Sequence, residues 1–145
     1  MQSNDIVFLS GCWDLFHIGH LCLIEKASTY GLLIVGVVTD EFALSYGKKV
    51  IIPFEERRRI IAALGCVGLA VPHPNFEDMT NIYRFNITIR VVGPEHGDYV
   101  AQRRARVKAE SHGVRYVEIP RTPGISSTSI KQACYAQILG KGEVS

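Results

Sequence analysis

Two histidines, His17 and His20, lie three residues apart in the stretch 11–20, which reads GCWDLFHIGH. This stretch follows an apolar segment that is typical of a buried strand, and it leads into a segment whose pattern predicts a helix. The i, i+3 spacing places both imidazoles on one side of the first helical turn. Because helix N-termini that follow parallel strands bind phosphate groups, we predict a phosphate site here. Both imidazoles would stabilise charge on phosphate oxygens in a transition state.

Other polar residues near this junction allow more than one role. Metal ligation is the alternative role for the histidines, with Asp14 and His96 as the remaining candidate ligands. Asp14 either caps the helix or orients one of the imidazoles. Lys48, which follows Gly47 in a predicted loop, is either a plain surface residue or a point charge that holds a triphosphate.

A second polar segment, residues 120–128, reads PRTPGISST and also opens a predicted helix. Its three consecutive hydroxyl residues lie at the helix start beside Arg121, although one of them would suffice as an N-cap. The sequence contains neither a P-loop nor a dinucleotide-binding glycine motif, and no acidic pair indicates glycoside hydrolysis. The residues therefore indicate a nucleotide or phosphate-ester site that performs phosphoryl-type transfer.

The composition limits the possible partners and compartment. The length of 145 residues predicts one domain, and a net charge of +2 is too small to indicate nucleic acid as the main partner. The apolar run 32–38 is too short to span a membrane. The four cysteines form no CxxC pair, so no zinc site is expected. With no disulfide spacing and no signal peptide, we expect a reducing cytoplasm.

Strand and helix patterns alternate along the chain. Strands are predicted at residues 6–10, 32–38, 66–71, 88–92 and 114–119. Helices are predicted at residues 19–30, 54–64, 76–85 with Asn75 as the cap, 99–112, and from Ser127 or Thr128 to about 139. Residues 41–52 are predicted to form a loop, and the tail after about 139 to be frayed.

This alternation predicts a single α/β Rossmann-like domain over residues 1–145, with a five-stranded parallel sheet and helices on both faces. Right-handed crossovers bring all strand C-termini to one edge of such a sheet. Five segments that follow strand ends then meet at that edge, namely 11–20, 39–49, 72–76, 93–97 and 120–128. We expect the functional site there.

These motifs identify a family. The stretch 11–20 resembles the G-x-F-D-x-x-H-x-G-H signature of the cytidylyltransferase-like nucleotidyltransferases, with Trp13 where Phe is usual. Residues 121–130 resemble the second signature of the same family, R-T-x-G-I-S-S/T-T-x-I. Residues 39–41 and 53–57 also match in place and spacing, so the likeness covers about residues 5–133. The chain resembles the glycerol-3-phosphate cytidylyltransferase group in particular.

The resemblance implies a reaction and a set of site residues. An acceptor phosphate oxygen would attack the α-phosphate of CTP and release pyrophosphate. The implied catalytic residues are His17, His20, Lys48 and Arg121. The implied nucleotide-binding residues are Gly11, Cys12, Trp13, Asp14, Gly19, Arg57, Gly93, Glu95, Thr122, Ile125, Ser126, Ser127 and Thr128. The implied acceptor-binding residues are Asp40, Tyr46, Arg84 and His96, with Arg103 and Arg104 as alternatives to Arg84. Magnesium would be carried by the triphosphate rather than by a protein metal site, and the family is typically dimeric.

Three departures from the glycerol-3-phosphate group lie on the acceptor side. Tyr46 replaces a usual second lysine, Gly65 replaces a basic residue, and Glu95-His96 replaces Asp-Trp. We therefore expect a small phosphate or phosphonate as the acceptor, with glycerol 3-phosphate as only one of the candidates. One alternative is an adenylyltransferase of the same superfamily that uses ATP. The alternative of another class is a non-catalytic nucleotide sensor.

Overall fold

A computed structural model describes residues 4–77 and 79–140 of the chain. Strands and helices alternate through these ranges, as the sequence predicts. In chain order they are β1 (Ile6–Gly11), α1 (Ile18–Ser28), β2 (Leu32–Val38), α2 (Asp40–Ser45), α3 (Phe54–Ala62), β3 (Leu69–His73), α4 (Thr80–Arg84), β4 (Ile89–Val92), α5 (Val100–Ser111), β5 (Arg115–Glu118) and α6 (Ser127–Leu139).

All five strands form one parallel sheet in the order β3-β2-β1-β4-β5. The central strand β1 pairs with β2 from Ile6 opposite Leu32 to Gly11 opposite Val37. On its other side β1 pairs with β4, so the order of the strands reverses between these two neighbours. A parallel sheet of this topology opens a crevice beyond the C-terminal ends of the strands at the reversal point.

Helices cover both faces of the sheet, as predicted. Successive side chains of a strand point to opposite faces. Val7 and Leu9 of β1 accordingly belong to a core that includes residues of α1 and α3. Phe8 belongs to a second core, which includes residues of α4 and α5. The apolar strands are thus buried on both sides, which explains their continuous runs of branched residues.

Strand β3 lies further along the chain than predicted, at Leu69–His73 instead of residues 66–71. The prediction ended the strand at Pro72 because proline lacks a backbone N–H. β3 is an edge strand, however, and an edge strand tolerates proline. Pro72 lies opposite Val37 and His73 opposite Val38, so the end of β3 reaches the edge where the ligand crevice opens.

Two helices also differ from the prediction. The segment 41–52 was expected to be a loop, but it contains most of α2, whose start is capped by Thr39 Oγ1 accepting from the Phe42 N–H at 3.2 Å. Helix α4 is restricted to Thr80–Arg84 within the predicted span 76–85, and Asn75 does not cap it. Six and five residues are too few to show a clear apolar period.

The other predicted elements agree with the structure to within about two residues at most ends, and α6 begins at Ser127. The tail beyond residue 140 lies outside the described residues. Within the described ranges, no helix combines the length and apolar character needed to cross a membrane.

Candidate functional site

Two adjoining cavities open beyond the ends of β1 and β4. The first, which we call the histidine cavity, has a volume of about 320 Å³ and is lined by His17, His20 and the residues that begin α6. The second, which we call the aromatic cavity, has a volume of about 270 Å³ and is lined by Phe42, Tyr46, Phe76 and Tyr99 together with several polar residues. Both cavities are lined by Ser10, Gly11, Cys12, Lys48, Gly93 and Glu95.

The backbone of the first motif is bent by a buried tryptophan. Trp13 has a φ of 59°, which is the left-handed region, and its indole Nε1 donates to the Gly36 carbonyl at 3.0 Å. A Cβ on Gly11 would lie 2.8 Å from the Trp13 ring, so only glycine fits there. The larger indole in place of phenylalanine therefore has a definite contact on β2, and it fixes the turn that leads to His17.

His17 is the N-cap of α1. Its Nδ1 accepts from the backbone N–H of Gly19 at 3.0 Å and of His20 at 3.4 Å. A neutral ring that accepts at Nδ1 carries its proton on Nε2. That Nε2 is shielded from solvent and has no hydrogen-bond partner among the described residues. It is therefore available to donate to an oxygen of a ligand in the histidine cavity.

His20 stacks on His17 with the ring centroids 3.7 Å apart. Burial, assisted by the nearby His17 and Lys48, lowers the pKa of His20 to about 3. Burial also lowers the pKa of His17. Both rings are thus neutral near pH 7, and they would act as hydrogen-bond donors of a preorganised site rather than as fixed positive charges.

Asp14 does not line either cavity, contrary to the prediction that it contacts the nucleotide, and it neither caps α1 nor orients a histidine. Its fully buried carboxylate accepts from the backbone N–H of Ile51 at 2.9 Å and of Ile52 at 3.0 Å. Lys131 Nζ lies 3.6 Å away. Burial by itself would raise the pKa of Asp14, but these hydrogen bonds and Lys131 lower it. Asp14 thus holds the loop that follows Lys48.

The two signature segments contact each other directly. Ser127 Oγ donates to the Asp14 carbonyl at 2.5 Å, across 113 positions of sequence. Ser126 caps α6 by accepting from the Ser129 N–H at 3.0 Å, while Ser129 Oγ receives the Ser126 N–H. The start of α6 therefore faces the histidine cavity, which is also lined by Thr122, Ile125, Ser126, Ser127 and Thr128.

Arg121 and Glu95 form an ion pair at 2.8 Å between the loops that follow β5 and β4. Both side chains line the histidine cavity and are more than half exposed. Burial would raise the pKa of Glu95, but Arg121 lowers it, and the hydrogen bond that Arg121 donates to Glu95 raises the pKa of Arg121. An anionic ligand in this cavity competes with Glu95 for Arg121.

Arg57 and Asp40 line neither cavity, so their predicted contacts with nucleotide and acceptor stay predictions. The buried Arg57 guanidinium donates to three carbonyls, those of Cys12, Val38 and Ile52, at 2.7 to 2.8 Å. It also pairs with Asp40 at 2.6 Å. These contacts use the donors of Arg57 to join the ends of β1 and β2 to the start of α3.

Arg84 is exposed at the end of α4, with its guanidinium 5.0 Å from the Phe85 ring, and it lies outside both cavities. This position gives no support to the predicted contact with the acceptor, which stays a prediction. The alternatives Arg103 and Arg104 also lie outside both cavities. Arg103 donates to the Gly97 carbonyl, and Arg104 lies 3.5 Å from Glu77. These basic residues belong to the solvent-facing surface of α4 and α5.

The remaining predicted residues lie in the cavities. Gly19 lines the histidine cavity, where a Cβ would meet the His17 ring at 2.9 Å, and Tyr46 and His96 line the aromatic cavity. Arg90 and His73 also line the aromatic cavity, although neither was predicted as a site residue. Two features of the sequence could have indicated them. One is a charged residue inside the predicted apolar strand 88–92, and the other is the histidine of the segment 72–76.

The described residues include no group of three or more His, Cys, Asp or Glu side chains arranged to hold a metal ion. The alternative in which His17, His20 and Asp14 or His96 ligate a metal is not supported, because Asp14 points to Ile51 and His96 lies in the other cavity. Magnesium carried by a triphosphate stays a prediction.

Comparisons with known proteins show which family the chain belongs to. The cytidylyltransferase-like family model matches residues 8–133. A glycerol-3-phosphate cytidylyltransferase of Bacillus spizizenii is 34% identical over 128 residues, covering 87% of this chain and 94% of the relative. The one from Staphylococcus aureus is 30% identical, covering 90% and 96%. The bifunctional protein HldE of Geotalea uraniireducens is 34% identical over 89% of this chain, which spans only 26% of that protein.

A solved structure supports the fold. The lipopolysaccharide core biosynthesis protein of Thermoplasma volcanium superposes with a TM-score of 0.67 at 21% identity, covering 81% of this chain and 96% of that one. Its similarity concerns the fold alone. The match of the family model over most of the chain, and relatives of similar length above 30% identity, establish the family. The chain belongs to the cytidylyltransferase-like family and is a nucleotidyltransferase.

Proposed function

We propose that this nucleotidyltransferase transfers CMP from CTP to a small phosphate or phosphonate acceptor and releases pyrophosphate. The observation that carries the proposal is the meeting of the two signature segments at one cavity, where Ser127 of the second segment bonds to Asp14 of the first. His17, His20 and Arg121 line that same cavity. Relatives that share about a third of their residues with this chain are named glycerol-3-phosphate cytidylyltransferases.

In the proposed mechanism the histidine cavity holds the triphosphate. The N-termini of α1 and α6 lie at its wall, so the positive ends of both helix dipoles favour an anion there. Arg121 exchanges its Glu95 partner for phosphate oxygens, and Lys48 approaches from the wall that both cavities share. Magnesium, when bound with the triphosphate, supplies further neutralisation of the phosphate charge.

An oxygen of the acceptor attacks the α-phosphorus. A new P–O bond forms, the bond from the α-phosphorus to the α,β-bridging oxygen breaks, and its electron pair leaves with pyrophosphate. The acceptor oxygen is already deprotonated, so no general base is required. His17 Nε2–H and the neutral His20 ring donate to the non-bridging oxygens, where charge increases in the transition state.

The aromatic cavity is the proposed acceptor site. It meets the histidine cavity at Gly11, Cys12 and Lys48. A phosphate placed at this shared wall can therefore reach the α-phosphorus of a nucleotide that is bound in the histidine cavity. In-line displacement requires such opposite placement of the attacking and leaving oxygens. The homodimer and the cytoplasmic location stay predictions, which derive from the family resemblance and from the cysteine pattern.

The test is pyrophosphate release from each of CTP, ATP, GTP and UTP with a panel of small phosphates and phosphonates. We expect turnover with CTP and at least one acceptor, and loss of turnover in the His17→Asn variant. Arg59→Ala is the control, since Arg59 is exposed on α3 and lies outside both cavities. A preference for ATP would identify an adenylyltransferase. Tight nucleotide binding without turnover of any acceptor would identify a sensor.

A further inference from the structure

Three polar residues of the aromatic cavity, Arg90, His73 and His96, each have a shielded nitrogen without a partner. These atoms are Arg90 Nη1, His73 Nδ1 and His96 Nε2, and none of them has a hydrogen bond to the described residues. All three residues line the same cavity, and we call them the Arg90 cluster. Buried polar groups are normally satisfied, so three unsatisfied nitrogens in one cavity indicate a ligand that bonds to them.

Arg90 is the only one of the three that carries a charge near pH 7. It extends from β4 over the Phe8 ring at 4.8 Å, and its Nη2 donates to Ser10 Oγ at 2.8 Å. No carboxylate within residues 4–77 and 79–140 forms an ion pair with it. Burial lowers its pKa, although the neighbouring Tyr116 hydroxyl raises it, and a guanidinium stays protonated in proteins. A shielded cation without a counter-ion favours binding of an anion.

The two histidines add hydrogen bonds without adding charge. Burial and the nearby Arg90 lower the pKa of His73 to about 3 and of His96 to about 4. Each neutral imidazole has one N–H and one acceptor nitrogen. His73 is held between the rings of Phe8 and Phe42, and His96 lies against Tyr116. Both rings can therefore support an oxygen-rich group that Arg90 attracts.

The aromatic wall of the cavity allows a competing interpretation. Such walls bind quaternary ammonium groups through cation–π contacts. Here the rings contact one another instead: Phe42 meets Phe76 edge to face at 4.7 Å, and Phe76 stacks on Tyr99 at 4.6 Å. A cationic acceptor would also face the uncompensated Arg90. The charge in the cavity therefore favours an acidic group over an amine.

We propose that the acceptor carries a second anionic group, and that the Arg90 cluster binds this group while the reacting phosphate or phosphonate lies at Lys48. This inference rests on the proposed function, and it specifies its substrate class. The volume of about 270 Å³ limits the acceptor to a short chain between the two anionic groups. Arg90 belongs to β4, the neighbour of β1, and it donates to Ser10 of β1. The second anionic group would therefore lie away from His17 and His20.

The experiment compares two acceptors of the same shape, 3-phosphonopropanoate and 3-phosphonopropanamide. They differ in one charge at the end that would meet Arg90. Two further acceptors differ at the same end: glycerol 3-phosphate ends in a neutral diol, and 2-aminoethylphosphonate ends in a cationic amine. We expect kcat/KM with CTP to be about 10- to 100-fold higher for the carboxylate than for the amide, which is the usual effect of hydrogen bonds to a charged group. The difference should lie mainly in KM.

The variant Arg90→Met should reduce the carboxylate-to-amide ratio to about one, and Arg90→Lys should restore part of it. The matched control is Arg59→Met, the same change at an exposed arginine outside both cavities, which should leave the ratio unchanged. Thermal unfolding of each variant separates loss of binding from loss of fold. If Arg90→Met does not fold, Arg90→Lys and direct binding of 3-phosphonopropanoate to the wild-type chain by calorimetry decide the question.

The outcomes distinguish this inference from the proposed function. Equal or better use of the amide, glycerol 3-phosphate or 2-aminoethylphosphonate overturns the second anionic group while cytidylyl transfer stands. Absence of pyrophosphate release with every acceptor refutes the proposed function. In that case binding of 3-phosphonopropanoate is still measured, and affinity that is unchanged by Arg90→Met overturns the role of the Arg90 cluster.

Discussion

His17 and His20 stack with their ring centroids 3.7 Å apart, and His17 at the same time caps the helix that carries them both. The cap is made by Nδ1, so the ring is oriented with Nε2 towards the ligand by the same hydrogen bonds that begin α1. One side chain thus has a structural role and a proposed catalytic role. The two roles can be separated by mutation.

The first prediction separates them. His17→Asn keeps a side-chain oxygen that can cap α1, because asparagine is a good N-cap, but removes the Nε2–H donor. We expect kcat to fall about 10²- to 10³-fold with little change in stability, as for loss of one oxyanion donor. His17→Ala should lose the same activity and about 1 kcal/mol of stability besides. Steady-state kinetics and urea unfolding measure the two effects. Near-normal turnover in His17→Asn would contradict the assigned role.

The second prediction concerns Asp14, whose carboxylate holds the N–H groups of Ile51 and Ile52. Asp14→Asn removes the charge and one acceptor oxygen, and should lower the free energy of unfolding by about 1.5 to 3 kcal/mol. The loop that carries Lys48 should loosen, which raises KM for CTP. Hydrogen exchange at the amides of Ile51 and Ile52 should become faster.

Lys131→Met is the control for this change. Lys131 lies 3.6 Å from the Asp14 carboxylate, but its removal leaves both backbone hydrogen bonds in place. It should have a smaller effect on stability and little effect on the two exchange rates. Unchanged amide exchange in Asp14→Asn would show that the carboxylate does not hold the loop.

Much of the site was predictable because its residues are local to strand ends and helix starts. His17, Arg121 and Ser126 stand in short motifs whose backbone geometry follows from glycine, proline and capping residues close in sequence. The parallel sheet then brings strand ends together whatever their separation along the chain. For these residues, the position in the sequence is therefore enough to predict a position in the cavity.

Side chains that cross between elements were not predictable in this way. Asp14 and Arg57 belong to matching motifs, but the backbone groups that they bond lie 19 or more positions away, apart from the bond of Arg57 to Ile52. Arg90 was hidden by the apolar pattern of its own strand. In each case the tertiary fold decides whether a polar side chain faces a ligand or bonds to backbone groups. The periodic pattern of apolar residues in the sequence carries no information about which of the two occurs.

The third prediction follows from the buried position of Arg57 between three backbone carbonyls. Arg57→Met leaves three carbonyls and Asp40 without their donor, so we expect a loss of about 3 to 5 kcal/mol in the free energy of unfolding. Arg58→Met is the matched control, since Arg58 pairs with Glu55 on the outer side of the same helix and should matter little. A nucleotide-binding role for Arg57 would instead give a higher KM for CTP with unchanged unfolding.

The last prediction concerns acid stability and His73. The folded-state pKa of His73 is about 3 because of burial, against about 6.5 in an unfolded chain. The unfolded state therefore binds one more proton between these values, so this contribution to stability is complete above pH 6.5 and is lost as the pH falls towards 3. The expected slope is about 1.4 kcal/mol per pH unit for this one group.

His73→Phe, which suits the rings of Phe8 and Phe42, should make urea-derived stability less dependent on pH between 6.5 and 4.5. An unchanged slope in His73→Phe would show that this histidine is not buried in its neutral form.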